Sequence, residues 1–135
     1  MRIAVIDGQG GGIGRAIVER LKAAVPGAEV LALGTNSAAT GQMLKAGADE
    51  GATGENAIVH GVRQADVIVG VIAILSANSL MGELSPRMAL AVSESPAFKV
   101  LLPVNRCGIH VVSVPDVPLG THIENAVAAI KGFAP

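Results

Sequence analysis

Five glycines fall within seven residues, Gly8 to Gly14, and they sit between two segments of opposite character. Before them runs a short apolar stretch, Ile3 to Ile6, which reads as a buried strand. After them, Ile13, Ala16, Ile17, Leu21 and Val25 recur at helical spacing. Strand, glycine turn and helix in that order open a βα unit, the context in which a glycine cluster reads as a phosphate cradle. Glycine lets the chain turn sharply and lets an anion come close to the amides. The helix beyond it presents unpaired N–H groups and the positive end of its dipole. The expectation is a nucleotide or another phosphate-bearing ligand held by Asp7, Gly8, Gln9, Gly10, Gly11, Gly12, Ile13 and Gly14, with Arg15 the nearest cation. The competing reading is a tight turn whose glycines serve packing alone.

Composition narrows the partners. The chain has 135 residues, half of them hydrophobic and only 16% charged, with a formal net charge of −1. Nothing in that balance draws a polyanion. Single-strand recognition needs aromatic platforms, and there is no Trp, no Tyr and only Phe98 and Phe133. Nucleic acid is therefore not an expected partner. The longest apolar run, Val67 to Leu75, is far short of a bilayer span, so no membrane partner is expected either. A single cysteine, Cys107, and a strand beginning by residue 3 lead us to expect a cytoplasmic protein without a signal peptide. High aliphatic content in a small chain leads us to expect a homo-oligomer, a homodimer in the simplest case.

Strand and helix patterns alternate throughout. Strands are expected at about 2–7, 29–33, 66–74, 99–104 and 109–114, with a minimal one inside 48–54. Helices are expected near 13–25, 38–46, 55–65, 86–94 and 120–131. Ser85-Pro86 reads as an N-cap followed by a proline at the first helical position. Thr121 with Glu124 has capping-box spacing. Only four residues, 105–108, part the last two strands, too few for a parallel crossover, so that pair reads as an antiparallel hairpin. The whole chain is expected to be one domain, an α/β Rossmann-like three-layer sandwich. Its sheet would have about six mostly parallel strands and an antiparallel edge hairpin.

In such sheets ligands lie beyond the carboxyl ends of the strands. Collected there are Asp7 and Gln9; Thr35, Asn36 and Ser37; Asn78 and Ser79; and Asn105, Arg106 and Cys107. These amides and hydroxyls suit a polar, anionic small molecule, although each also fits an ordinary turn or cap. Two features depart from a standard dinucleotide site. Asp7 puts a carboxylate where a pyrophosphate would sit. The second strand ends in Gly34-Thr35-Asn36-Ser37, with no acidic residue for a ribose. NADP or another nucleotide is the cofactor class considered, its identity left open. An enzymatic alternative would use Asp7, Glu83 or Cys107, the thiol beside Arg106 and three residues before His110. Cys107-x-x-His110 also has two-ligand spacing, but without a second pair no metal is expected. A third alternative is a scaffold subunit that binds nothing.

Gly8-x-x-x-Gly12-Ile13-Gly14 resembles the cofactor loop of short-chain dehydrogenases over roughly the first 25 residues. Those enzymes work through a Tyr-x-x-x-Lys pair, and this chain has no tyrosine, so their chemistry is excluded. Five stretches, 7–14, 32–40, 43–48, 51–59 and 103–108, together resemble a family of short bacterial Rossmann-like proteins of unknown function. That resemblance implies a bacterial protein and supports the fold. It brings no catalytic residues with it.

Overall fold

The structure, a computed structural model, describes residues 1–104 and 107–133. Strand β1 (Arg2–Asp7) lies at the centre of a five-stranded sheet with β2 (Glu29–Gly34), β3 (Glu50–Thr53), β4 (Val67–Val71) and β5 (Phe98–Leu102). The order is β3-β2-β1-β4-β5, and every pairing among the described residues is parallel. The chain builds outward from β1 to β3, then returns to the other side of β1 for β4 and β5. That reversal makes the gap between β1 and β4 the topological switch point, where open α/β sheets offer a crevice at the strands' carboxyl ends.

Period-two alternation divides the core between the faces of the sheet. Ile3 and Val5 join Val30, Ala32, Val67 and Val69 on one face. They pack against Ile17, Val18 and Leu21 of α1 (Gly12–Ala24), Met43 of α2 (Ser37–Lys45), and Ile123, Val127 and Ile130 of α5 (Leu119–Lys131). Ala4 and Ile6 join Leu31, Leu33 and Ile68 on the other face, against Ile58 of α3 (Glu55–Gly61) and Met88 and Val92 of α4 (Pro86–Glu94). With both faces covered, β1 and β4 read as unbroken apolar runs, the signature of buried parallel strands.

Three expectations are corrected. The run expected as a strand over 66–74 pairs only through Val71; Ile72–Leu75 form a 3-10 turn that buries Ala73 and Ile74. Among the described residues no antiparallel hairpin forms, and the sheet has five strands rather than six. Leu102 ends β5, with Pro103 next. In the expected second arm Ser113 turns to φ +67°, Ile109 and Val112 are exposed, and Pro115 follows. A left-handed residue breaks the extended repeat, and a proline contributes no ladder donor. The final helix starts at Leu119 after Pro118 and has no side-chain cap, so Thr121 lies inside the first turn instead of before it.

Candidate functional site

The β1–α1 loop closes on a carboxylate of its own. Asp7 ends β1 and is buried. Its Oδ1 accepts the Gly8 N–H at 2.8 Å, and its Oδ2 accepts the Gly14 N–H at 2.6 Å. Helix α1 has Gly11 as its N-cap residue and no side-chain cap from that position, so Asp7 does the capping from the end of the strand. Burial pushes the Asp7 carboxyl above its ordinary value. The Gly14 and Gly8 amides pull the other way, and the charge of Glu83 adds to the upward push.

The five glycines divide into two groups. A Cβ at Gly8 would lie 2.5 Å from Thr35 Oγ1, and one at Gly14 2.8 Å from the Asp7 carboxylate and from Met43 Sδ. Gly11 is left-handed at φ +77°, and its Cβ would lie 2.7 Å from the Ala39 backbone. Packing demands glycine at all three. Gly10 and Gly12 lack both constraints: neither has a positive φ, and a Cβ on either would meet nothing within 4 Å.

A second carboxylate reaches the same place from the loop between the 3-10 turn and α4. Glu83 Oε1 accepts from Thr35 Oγ1 at 2.6 Å, Asn36 Nδ2 at 2.7 Å and the Gln9 N–H at 2.8 Å. The Thr35 hydroxyl, then the Gln9 amide, hold its pKa below the ordinary value, the Asn36 amide helping and partial desolvation opposing. Its loop is internally braced. The Asn78 N–H donates to Leu84 O at 2.7 Å, and buried Ser79 donates to Ala73 O at 2.6 Å. Leu80, Met81 and Gly82 are consecutively left-handed, a conformation costing a side-chain-bearing residue ~1–2 kcal/mol. Buried Leu80 and Leu84 anchor the loop, whereas Met81 at its tip is 95% exposed.

Between these loops lies a cleft of about 330 Å³, lined by Asp7 to Ile13 with Leu80 and Leu119. It opens at the carboxyl end of β1. Of the amides along this loop, Gly8 and Gly14 serve Asp7, Gln9 serves Glu83 and Gly11 serves Gly8 O. Among the described residues, those of Gly10, Gly12 and Ile13 donate to no protein acceptor.

The other residues expected at a site fall out as follows. Thr35 and Asn36 join the Glu83 cluster, and Asn36 also caps α2 through Oδ1 to the Ala39 N–H at 2.8 Å. Ser37 is exposed in the first turn of α2, and Asn78 is exposed in its braced loop. Ser79 is structural. Arg15 pairs with Glu19 and Gln42 along the surface. Cys107 is exposed in the segment between β5 and α5 and does not line the cleft. Asn105 and Arg106 lie outside the described residues. Among those described, no three His, Cys, Asp or Glu side chains gather as a metal set. Among the described residues no helix is long and apolar enough to cross a membrane.

Glu83, expected only as one residue of an enzymatic alternative, is held by three hydrogen-bond donors. Its arrival at the end of β2 depends on a tertiary fold of the 76–85 loop that no local pattern announces. Leu80 and Leu119 as cleft walls carry no motif at all. No curated protein and no solved structure matches the chain. A family model does match, over residues 2–134, and by it the chain belongs to the domain of unknown function family DUF3842.

Proposed function

We propose that this protein binds a nucleotide or another phosphate-bearing metabolite in the cleft at the glycine loop. The observation that carries the reading is the pair Gly10 and Gly12. Their backbone needs no glycine and their surroundings leave room for a side chain, yet both line the cleft. A close ligand accounts for glycine there; packing does not. The amides of Gly10, Gly12 and Ile13 supply donors at a helix N-terminus, the arrangement that favours anions. Arg15 is half-exposed in its pair with Glu19, and such surface pairs are worth no more than ~1 kcal/mol, so its guanidinium is cheaply released toward an anion. Asp7 is committed to backbone amides and Glu83 to a backbone amide and two side-chain donors, which favours binding over the enzymatic alternative. Exposed apolar residues, among them Leu90, Leu44 and Phe98, accord with the further expectation of a homo-oligomer.

Native mass spectrometry with a panel of mononucleotides and dinucleotides at millimolar concentration tests this, and the same spectrum counts subunits. A stoichiometric adduct is expected. Gly12→Ala should keep or slightly raise the melting temperature, because alanine favours helix by up to ~1 kcal/mol. It should weaken the adduct at least about tenfold, since the new methyl occupies the approach to the amides. A protein that stays unliganded across the panel, or a Gly12→Ala variant that binds as well as the parent, defeats the proposal.

A further inference from the structure

We infer that the outer face of α4 is a self-association surface, on which a second copy of this chain docks in antiparallel register about a two-fold axis. This assigns a surface to the homo-oligomer expectation and does not depend on the ligand reading. Helix α4 turns Met88, Ala89 and Val92 into the core. Arg87, Leu90 and Glu94 fall on the opposite stripe, at i, i+3 and i+7, and all three are exposed. Leu90, in the middle of that stripe, is 56% exposed. Beside it lies a groove of about 260 Å³ between α3 and α4, lined by buried Val59 and by Ala91, with Arg63, Arg87 and Glu94 also on its walls.

The charges select the occupant. Among the described residues Arg63 and Glu94 form no ion pair, and Arg87 has only a 3.5 Å contact with Glu55, exposed on both sides. A polyanion drawn by Arg63 and Arg87 would be repelled by Glu94, and a basic partner would meet the reverse. A surface with the same two signs in opposite order satisfies both, and α4 run antiparallel is such a surface. A two-fold axis passing between residues 90 and 91 sets Arg87 against the partner's Glu94, twice over. It also lays each Leu90 against the partner's Ala91, a large residue on a small one. Residues seven apart lie ~10 Å apart along a helix, so the two ion pairs flank the leucine contact. A net charge of −1 leaves little overall repulsion between copies. With nine residues α4 is only ~13 Å long. Such a contact is smaller than the ~800 Å² per partner of a standard interface, so a dimer in micromolar exchange is expected.

Sedimentation equilibrium of the full chain is the test. The unmodified protein should populate a dimer at about 100 μM. Leu90→Asp should be monomeric there while keeping the parent's circular dichroism spectrum, because the position is exposed. Arg87→Glu and Glu94→Arg should each weaken association about tenfold or more, since either change makes both cross-pairs like-charged. Mixed in equal amounts, these two variants should form a heterodimer about as tight as the parent dimer, because every cross-pair is then acid against base. That rescue decides the register even if the Leu90 variant folds poorly. An unmodified chain that stays monomeric defeats this inference and the homo-oligomer expectation together. A dimer that survives Leu90→Asp forms through another face and defeats this inference alone. Charge variants that weaken the dimer and are not rescued by mixing overturn the antiparallel register, and the inference with it.

Discussion

Asp7 and Glu83 approach the same glycine loop from opposite sides and meet opposite electrostatic fates. Asp7 belongs to the βα unit it stabilises; its acceptor oxygens reach amides one and seven residues away. Burial costs it more than two amides return, so its pKa rises. Glu83 reaches the loop across 74 residues, stays partly solvated and gathers three donors, so its pKa falls. Carboxylates with similar hydrogen-bonding duties therefore differ because one is inside the fold and the other closes it. Asp7 is a structural cap that faces the cleft. Glu83 is a latch between two loops.

The sharpest way to break that distinction is to remove the cap. Asp7→Ala leaves the buried Gly14 amide without an acceptor and uncaps α1, and each lost acceptor of this kind costs ~1–3 kcal/mol. A drop of about 2–3 kcal/mol in urea unfolding is expected. A loss below about 0.5 kcal/mol would mean that water or a neighbour replaces Asp7 readily, which removes it from the cap role.

Titration should separate the two groups next. Carboxyl NMR should place the Asp7 midpoint above its ordinary 3.8 and that of Glu83 below its ordinary 4.5. The signs follow from linkage. Native Asp7 binds its proton more readily than the unfolded chain does. Its contribution to stability is therefore fully present below 3.8 and is lost as pH rises through the native value. Native Glu83 binds its proton less readily. Its contribution is present above 4.5 and is lost as pH falls through the native value. Both midpoints on the same side of their ordinary values would erase the contrast.

The smallest effect is expected at the tip of the latch. Met81 packs against almost nothing and sits at φ +56°. Met81→Gly should relieve strain and raise stability by up to ~1 kcal/mol. Destabilisation instead would show that the methionine side chain contributes to holding Glu83 in place.

These differences also mark what the sequence could disclose. The glycine turn, the strand and helix at either side of it and the α4 cap at Ser85-Pro86 follow local rules, and the elements form where those rules put them. Four-residue β3 forms inside the 48–54 stretch where a minimal strand is expected, its signal weak because it is an edge strand with little apolar content. The hairpin expectation failed for a definable reason. Alternating apolar residues at 109–114 look like a strand, but the backbone reversal at Ser113 is a single-residue property that apolar periodicity does not register. The candidate site was half legible. Gly8 to Gly14 were singled out by spacing, though spacing could not tell the three packing glycines from the two that face open space. Glu83 was visible as an acid and invisible as a neighbour of Thr35. Nothing within a few residues of either position encodes a contact 48 residues apart in the chain.

The long reach of the latch also sets an order of events in time. A helix capped from its own strand needs only a short loop closure, so the glycine turn can organise early. The second wall waits until β4 has docked beside β1 and the chain has turned back over it. A ligand that touches both walls consequently recognises the finished molecule alone. Its binding would pull the last folding step toward completion by mass action, and the melting temperature would report how much ligand is present.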